Sequence, residues 1–224
     1  GSEIYTIYVK DLASGQTLAS TIANCTGDFC WSPDSQLIFW TFRDDNGRPA
    51  KIYRRPARGG EDTLVYDEPD EGFFLSVTPT ESHEYILINA GNGAQSEVYT
   101  IPASNPTAQP TLFHGREDEL LYTPTHWNGR WYVLTNADNA VDFKIMTCEP
   151  GHTSRAQWRE FLAHQEGRYI LGLGATKDYL VRAERSNALP RIVIRHRGGD
   201  EHAISMTEEA YNLELTGGYE FDTT

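Results

Sequence analysis

Asp28-Phe29-Cys30-Trp31, Gln36-Leu37-Ile38-Phe39-Trp40-Thr41-Phe42, Lys51-Ile52-Tyr53-Arg54-Arg55 and Thr63-Leu64-Val65-Tyr66 are four short runs rich in β-branched and aromatic residues. Ser32-Pro33-Asp34, Asp44-Asp45-Asn46-Gly47 and Arg58-Gly59-Gly60 stand between them. Asn-Gly and Gly-Gly supply the positive φ that tight hairpins need, so the four runs are expected to be consecutive antiparallel strands.

The same pattern returns along the chain. Ile7-Tyr8-Val9-Lys10, Ile52-Tyr53-Arg54-Arg55, Val98-Tyr99-Thr100-Ile101, Ile145-Met146-Thr147-Cys148 and Ile192-Val193-Ile194-Arg195 begin at steps of 45, 46, 47 and 47 residues. A second series keeps the same beat: Leu37-Ile38-Phe39-Trp40, Tyr85-Ile86-Leu87-Ile88, Trp131-Tyr132-Val133-Leu134 and Asp178-Tyr179-Leu180-Val181. In the next repeat the strands are expected at Phe73–Val77, Glu84–Asn89, Glu97–Ile101 and Thr111–His114. Four short strands in about 45 residues is the period of a propeller blade. The fold class is therefore all-β: a β-propeller segment of four-stranded antiparallel blades.

The ends set the count. Ile4–Val9 and Thr17–Ala19 fall at the third and fourth strand positions of a preceding blade, and Tyr211–Leu215 and Tyr219–Phe221 at the first two of a following one. The expectation is half a blade, four full blades and half a blade, about five blade equivalents in a domain spanning residues 3–224. Gly1-Ser2 reads as a cloning remnant. Whether the halves close a ring or end an arc stays open; an arc would leave two unpaired sheet edges. One segment carries a competing signal. Ser154-Arg155-Ala156-Gln157, followed by Trp158, Phe161 and Leu162, has helical spacing and a capping-box pattern, whereas the repeat places an outer strand at Gln157–Ala163. The repeat takes precedence.

Among 224 residues there are 19 Lys+Arg and 32 Asp+Glu, a net charge of −13. That charge argues against nucleic acid or an anionic membrane as partner and favours basic or neutral ligands. No apolar run has the length of a membrane helix, and no secretory leader is visible. Three cysteines, Cys25, Cys30 and Cys148, cannot make a disulfide framework; the odd count points to a reducing, cytoplasmic compartment, with the three as small buried residues. They complete no zinc pattern, and no metal or other cofactor is expected. Asn24-Cys25-Thr26 has the form of a glycosylation sequon. The seven histidines show no ligand spacing and read as loop or surface residues. No Gly-x-Ser-x-Gly elbow is present, and Gly172-Leu173-Gly174 lacks the third glycine of a dinucleotide loop. The five-bladed glycosidase alternative needs two facing carboxylates, and the innermost strand positions offer only Glu214.

Acidic residues gather instead in the connections from a fourth strand to the next first strand: Asp67-Glu68-Pro69-Asp70-Glu71, Glu117-Asp118-Glu119, Glu166 and Glu208-Glu209. In a propeller these connections leave the blades on the same face as the second-to-third hairpins, which carry Asp44, Asp45 and Asp138. A set of solvated loops is the plain reading. The sharper one makes Asp67, Glu68, Asp70, Glu71, Glu117, Asp118 and Glu119 a source of negative potential that steers basic peptides.

Asp62-Thr63-Leu64-Val65-Tyr66-Asp67-Glu68-Pro69-Asp70, Phe73-Phe74-Leu75-Ser76-Val77 and Ser96-Glu97-Val98 resemble the propeller of the oligopeptidase B (protease II) group in the prolyl oligopeptidase family of serine peptidases. So do Tyr8-Val9-Lys10-Asp11-Leu12-Ala13-Ser14-Gly15, Trp31-Ser32-Pro33-Asp34-Ser35, Trp131-Tyr132-Val133-Leu134-Thr135-Asn136 and Asp178-Tyr179-Leu180-Val181-Arg182-Ala183-Glu184-Arg185. The resemblance implies a seven-bladed propeller that caps a catalytic α/β-hydrolase domain and admits only short peptides, cleaved after Lys or Arg. This chain lacks the Ser–Asp–His domain, so no catalytic residue is carried over and the chain alone is expected to be inactive. Its expected partners are that hydrolase domain and short basic peptides. The alternative is a stand-alone five-bladed module that binds proteins or peptides.

Overall fold

The computed structural model describes residues 3–217 and 220–223; Gly1-Ser2 and Tyr219 of the expected terminal strand lie outside the described residues. Two compact units divide the chain at Gly115 and Arg116.

Among the described residues the first unit holds nine strands: β1 (Tyr5–Lys10), β2 (Thr17–Trp31), β3 (Leu37–Arg43), β4 (Pro49–Pro56), β5 (Thr63–Asp67), β6 (Phe74–Pro79), β7 (Tyr85–Gly91), β8 (Ser96–Pro102) and β9 (Thr111–His114). They form an antiparallel five-stranded sheet ordered β1-β2-β3-β4-β5 and a four-stranded sheet ordered β6-β7-β8-β9. The second unit holds β10 (Tyr122–Trp127), β11 (Arg130–Thr135), β12 (Lys144–Cys148), β13 (Arg159–Leu162), β14 (Arg168–Ala175), β15 (Tyr179–Ser186), β16 (Leu189–His196) and β17 (Glu201–Ala203), in two four-stranded antiparallel sheets in chain order. The repeat therefore maps onto sheets, one meander per period, with β1 added as a fifth strand to the first sheet.

Burial explains why the second strand of each period reads as a continuous apolar run. Ile38, Phe39 and Trp40 in β3, Ile86, Leu87 and Ile88 in β7, and Trp131 through Leu134 in β11 are all buried. Such strands are covered on both faces, so alternation gives way to an unbroken run. In the first unit the two sheets meet through Cys30, Phe39 and Ile52 on one side and Leu75, Val77, Ile88 and Ile101 on the other. In the second, Tyr132, Leu134 and Ile145 meet Ile170, Ala175 and Leu180.

The structure departs from the expectation at both ends. Thr17–Ala19 is not the outer strand of a separate blade. It begins β2, whose first part pairs with β1 (Ile7↔Ile22, Lys10↔Thr17) and whose second part pairs with β3 (Phe29↔Trp40, Trp31↔Ile38). Asn24 at φ 57° and Gly27 at φ 92° bend the strand at the changeover, where the register shifts. One face of the joined sheet buries Ile22, Cys25 and Trp40 against Ile7, Val9 and Phe42, so apolar burial holds β1 and β2 to the first sheet.

At the other end, Tyr211–Leu215 forms no strand, and Glu214 lies in irregular chain. Phe221 packs against the second-unit core, and its carbonyl accepts the Lys177 N–H at 2.7 Å. A first-position strand needs a partner at its side, and among the described residues Tyr211–Leu215 pairs with none.

The helical signal at 154–162 shrinks to a single 3-10 turn, Arg155–Gln157, ahead of strand β13. Trp158, which ends that turn, is buried and donates its indole N–H to the Thr153 carbonyl at 2.7 Å. The three cysteines are free and buried; burial pushes the Cys30 thiol up to about 12 and is the largest cause of the same rise at Cys148. His126 departs from the expectation of a loop or surface position. It lies in β10, is 1% exposed, and meets the Trp131 ring edge-to-face at 4.9 Å. The alternating pattern of β10 points it inward.

Candidate functional site

The acidic connections of the two units are built differently. In the first unit the β3–β4 hairpin turns at Gly47, whose φ is 81° and whose N–H donates to the Asp44 carbonyl at 2.9 Å. Asp44 Oδ1 accepts the backbone N–H groups of Asn46 and Arg48, at 3.0 and 2.9 Å, and Oδ2 accepts Arg48 Nε at 3.2 Å. The Asp44 carboxyl is held below the usual carboxylate range, first by the Arg48 backbone N–H and then, against burial, by the Arg48 guanidinium.

Arg48, thus aimed, crosses to the β5–β6 connection. Its Nη1 donates to the carbonyls of Asp70 (2.9 Å), Phe73 (3.2 Å) and Glu68 (3.4 Å), and its Nη2 to Glu68 (3.3 Å). A planar guanidinium suits this converging set of acceptors, which a compact ammonium would not span. The connection also braces itself: Asp70 N–H donates to Glu68 Oε1 and Gly72 N–H to Asp70 Oδ1, both at 2.9 Å.

This geometry sorts the sequence candidates of the first unit. Asp70 and Glu71 are exposed. Asp67 is exposed and pairs with Lys51 at 3.0 Å. Glu68 is 1% exposed. Its Oε2 accepts the Tyr66 hydroxyl at 3.3 Å, and the same hydroxyl lies 3.3 Å from Glu97 Oε1, which also accepts from Tyr99 at 3.1 Å. Desolvation drives the Tyr66 hydroxyl pKa upward. The Glu68 carboxylate is thus folded into the unit, away from solvent.

In the second unit Arg155 and Lys144, the cations described beside the β9–β10 connection and the β11–β12 hairpin, meet acidic side chains. Arg155 pairs with Glu117 and donates to Asp138 Oδ1 at 2.9 Å. Lys144 Nζ lies 2.7 Å from Asp138 Oδ2. Lys144 first and Arg155 second hold the Asp138 carboxyl below the ordinary range. The β9–β10 connection is held by an amide: Asn136 Nδ2 donates to the Glu119 carbonyl and its Oδ1 accepts the Leu121 N–H, each at 2.8 Å. Asp118 and Glu119 are exposed and, with Asp138 and Arg155, line a cavity of about 400 Å³ that Val141 also borders. Farther along, Asp142 fixes the next connection, with Gly167 N–H on its Oδ2 at 2.8 Å and Ile170 N–H on its carbonyl at 3.0 Å. In each unit a second-to-third hairpin therefore meets a fourth-to-first connection, the juxtaposition anticipated for Asp44 and Asp138.

The sequence alone does not single out Arg48, Asn136 or Arg155. The available signal for Arg48 was its place four residues after Asp44 across an Asn-Gly turn. No sequence signal marks Arg155, because its partners lie 17 and 38 residues away. Among the described residues no group of three or more His, Cys, Asp and Glu side chains is placed to hold a metal ion, and no helix is long and apolar enough to cross a membrane.

Comparison with known proteins covers nearly the whole chain. The family described as prolyl oligopeptidase, N-terminal β-propeller domain, matches residues 1–222. Dipeptidyl aminopeptidase BI of Pseudoxanthomonas mexicana is 30% identical over 100% of this chain and 31% of its own length. Protease 2 of Moraxella lacunata is 28% identical over 100% of this chain and 32% of its own. Oligopeptidase B from Leishmania major shares the fold, with a TM-score of 0.86 at 22% identity, over 92% of this chain and 31% of that one. The chain thus spans about a third of the length of these proteins.

Proposed function

This chain belongs to the prolyl oligopeptidase family, as its N-terminal β-propeller domain, and on that premise we propose that residues 3–224 are the non-catalytic, substrate-admitting portion of a longer serine peptidase. The observation that carries this reading is coverage: relatives named as peptidases match the chain from end to end, yet the chain is less than a third of the first of them. The remaining length of such a protein would hold the catalytic α/β-hydrolase domain, the expected partner of this chain.

The substrates in this reading are short peptides cleaved after Lys or Arg. Support comes from the net charge of −13 and from the exposed carboxylates of Asp67, Asp70, Glu71, Asp118 and Glu119 on the connections. Exposed charges of one sign raise the local concentration of an oppositely charged ligand, an effect that salt screens over about 10 Å at 0.1 M. The propeller would collect basic peptides by charge and exclude large ones by size. Three free, buried thiols support a cytoplasmic setting.

Two measurements test the reading. A serine-directed fluorophosphonate is expected to leave the 224-residue chain unlabelled; a labelled serine would overturn the non-catalytic assignment. In the peptidase that carries this chain, Asp70→Asn with Glu71→Gln is expected to lower kcat/KM for an Arg-containing peptide about threefold at low salt, roughly the effect of one surface charge contact, and to flatten its salt dependence. Unchanged turnover and an unchanged salt slope would remove the steering role.

A further inference from the structure

We infer that Glu201 clasps the outer strand β17 to its sheet, which makes β17 a strap that opens by itself while β14 and β15 stay folded. Among the described residues the outer strands are not held alike. β5 lays Val65 and Tyr66 on the first-unit core, β9 buries Phe113, and β13 lays Phe161 and Leu162 on the second-unit core. β17 has only three residues, with Glu201 and His202 exposed and Ala203 half-buried. It brings little apolar area to the core, and a short outer ladder of that kind is the first part of a sheet to open.

Charge supplies the hold that apolar packing does not. The Arg182 side chain of β15 is only 8% exposed, and its Nε donates to Glu184 Oε2 at 2.7 Å. Glu184 is 1% exposed and also receives Arg191 at 3.4 Å, so Arg182 is aimed from within the sheet, independently of β17. Its Nη1 and Nη2 then reach past β16 to the Glu201 carboxylate, at 3.4 and 3.2 Å. Arg195, opposite Glu201 in the β16–β17 ladder, adds its Nη1 at 3.6 Å and carries its guanidinium 5.0 Å from the centre of the Phe161 ring. Against the burial that would raise it, Arg182 first and Arg195 second hold the Glu201 carboxyl below the ordinary carboxylate range. Without that carboxylate, two guanidinium groups of like charge stand together and β17 loses its attachment. Opening would bare the outer edge of β16, whose Ile192 carbonyl accepts the Ile204 N–H at 2.9 Å in the closed strap.

That last bond is the reporter. Amide exchange of the 224-residue chain is followed at neutral pH and stepped salt, for the unmodified chain and for Glu201→Gln, which keeps the shape of the side chain and removes its charge. At low salt Ile204 is expected to exchange at least about tenfold faster in Glu201→Gln, the weight of one hydrogen-bonded charge, while the amides of β14 and β15 keep their rates. In the unmodified chain, added salt is expected to speed Ile204 about threefold by screening the pairs, and in Glu201→Gln to leave it unchanged.

Both effects are required. An Ile204 rate that is the same in Glu201→Gln as in the unmodified chain overturns the clasp, because the ladder alone would then hold β17. Equal acceleration in β14 and β15 overturns the strap, because β17 would then open only with the whole sheet. An Ile204 rate that salt does not change in the unmodified chain overturns the electrostatic hold. Should Glu201→Gln not fold, the salt series on the unmodified chain decides: faster exchange at Ile204 without change in β14 and β15 supports the inference, and any other result overturns it.

Discussion

The β5–β6 connection of the first unit and the β9–β10 connection of the second carry similar acidic sequence, Asp67-Glu68-Pro69-Asp70-Glu71 and Glu117-Asp118-Glu119, but are secured by different chemistry. In the first, Arg48 binds three backbone carbonyls, while Lys51 takes Asp67 and Glu68 is buried. In the second, an amide from Asn136 holds the backbone, and Arg155 and Lys144 draw Glu117 and Asp138 into ion pairs. The difference teaches that counting acids along a loop overstates its field. What matters is whether nearby cations are directed at the backbone or at the carboxylates.

The sharpest way to break this comparison is to remove Arg48. Arg48→Ala leaves the carbonyls of Glu68, Asp70 and Phe73 without this donor and removes Nε from Asp44 Oδ2, while the backbone N–H groups on Asp44 Oδ1 remain; hydrogen bonds to a charged group contribute about 1.5–3 kcal/mol each. Some of those carbonyls will find water, so the expected loss is about 2–3 kcal/mol, read by urea unfolding of the chain. A loss below about 0.5 kcal/mol would show that the connection holds itself through Glu68 and Asp70 alone. Asn136→Ala should cost less, about 1–2 kcal/mol, because it removes two neutral hydrogen bonds to backbone groups. Faster exchange of the Leu121 amide would accompany it, and an unchanged rate would contradict the amide's role.

Arg155→Ala is expected to change stability by about 1 kcal/mol or less, since its pairs are part-exposed and screened. Its effect is electrostatic: the cavity bordered by Asp118, Glu119 and Asp138 loses its cation. The pH dependence gives the smallest signal. The Asp138 carboxyl has a folded pKa below its unfolded value, so the unfolded state binds more protons over that interval. Its contribution is present in full above the unfolded carboxylate value, about 3.9, and is lost as pH falls through the lower folded value. Arg155→Ala should move the Asp138 midpoint upward in an NMR titration while Lys144 still holds it below the unfolded value. A midpoint that does not move would place the whole effect on Lys144.

The family resemblance and the sheet count were legible because they depend on local regularities. Strand runs such as Tyr85-Ile86-Leu87-Ile88, and turns such as Asn46-Gly47, recur at a fixed step, and each sheet pairs strands adjacent in sequence. The outer strand β13 was recovered from the step alone, against a helical signal carried by only a few residues. The surroundings of the acidic residues were less legible. Glu68 and Asp70 stand two positions apart in one polar run, yet the first is buried against Tyr66 and the second is exposed. Nothing in their spacing distinguishes them.

The sequence by itself determined the succession of antiparallel strands, their four-stranded period and the acidic character of the connections, because propensity, alternation and turn chemistry act over a few residues. Only the tertiary structure decided that β1 and β2 join the first sheet, that Tyr211–Leu215 stays unpaired among the described residues, and that Arg48 turns to carbonyls while Arg155 turns to carboxylates. Those outcomes depend on partners 17 to 38 residues apart and on apolar faces brought together by folding, where the nearest oppositely charged or hydrogen-bonding atom is set by the packing of sheets and not by neighbours in the chain.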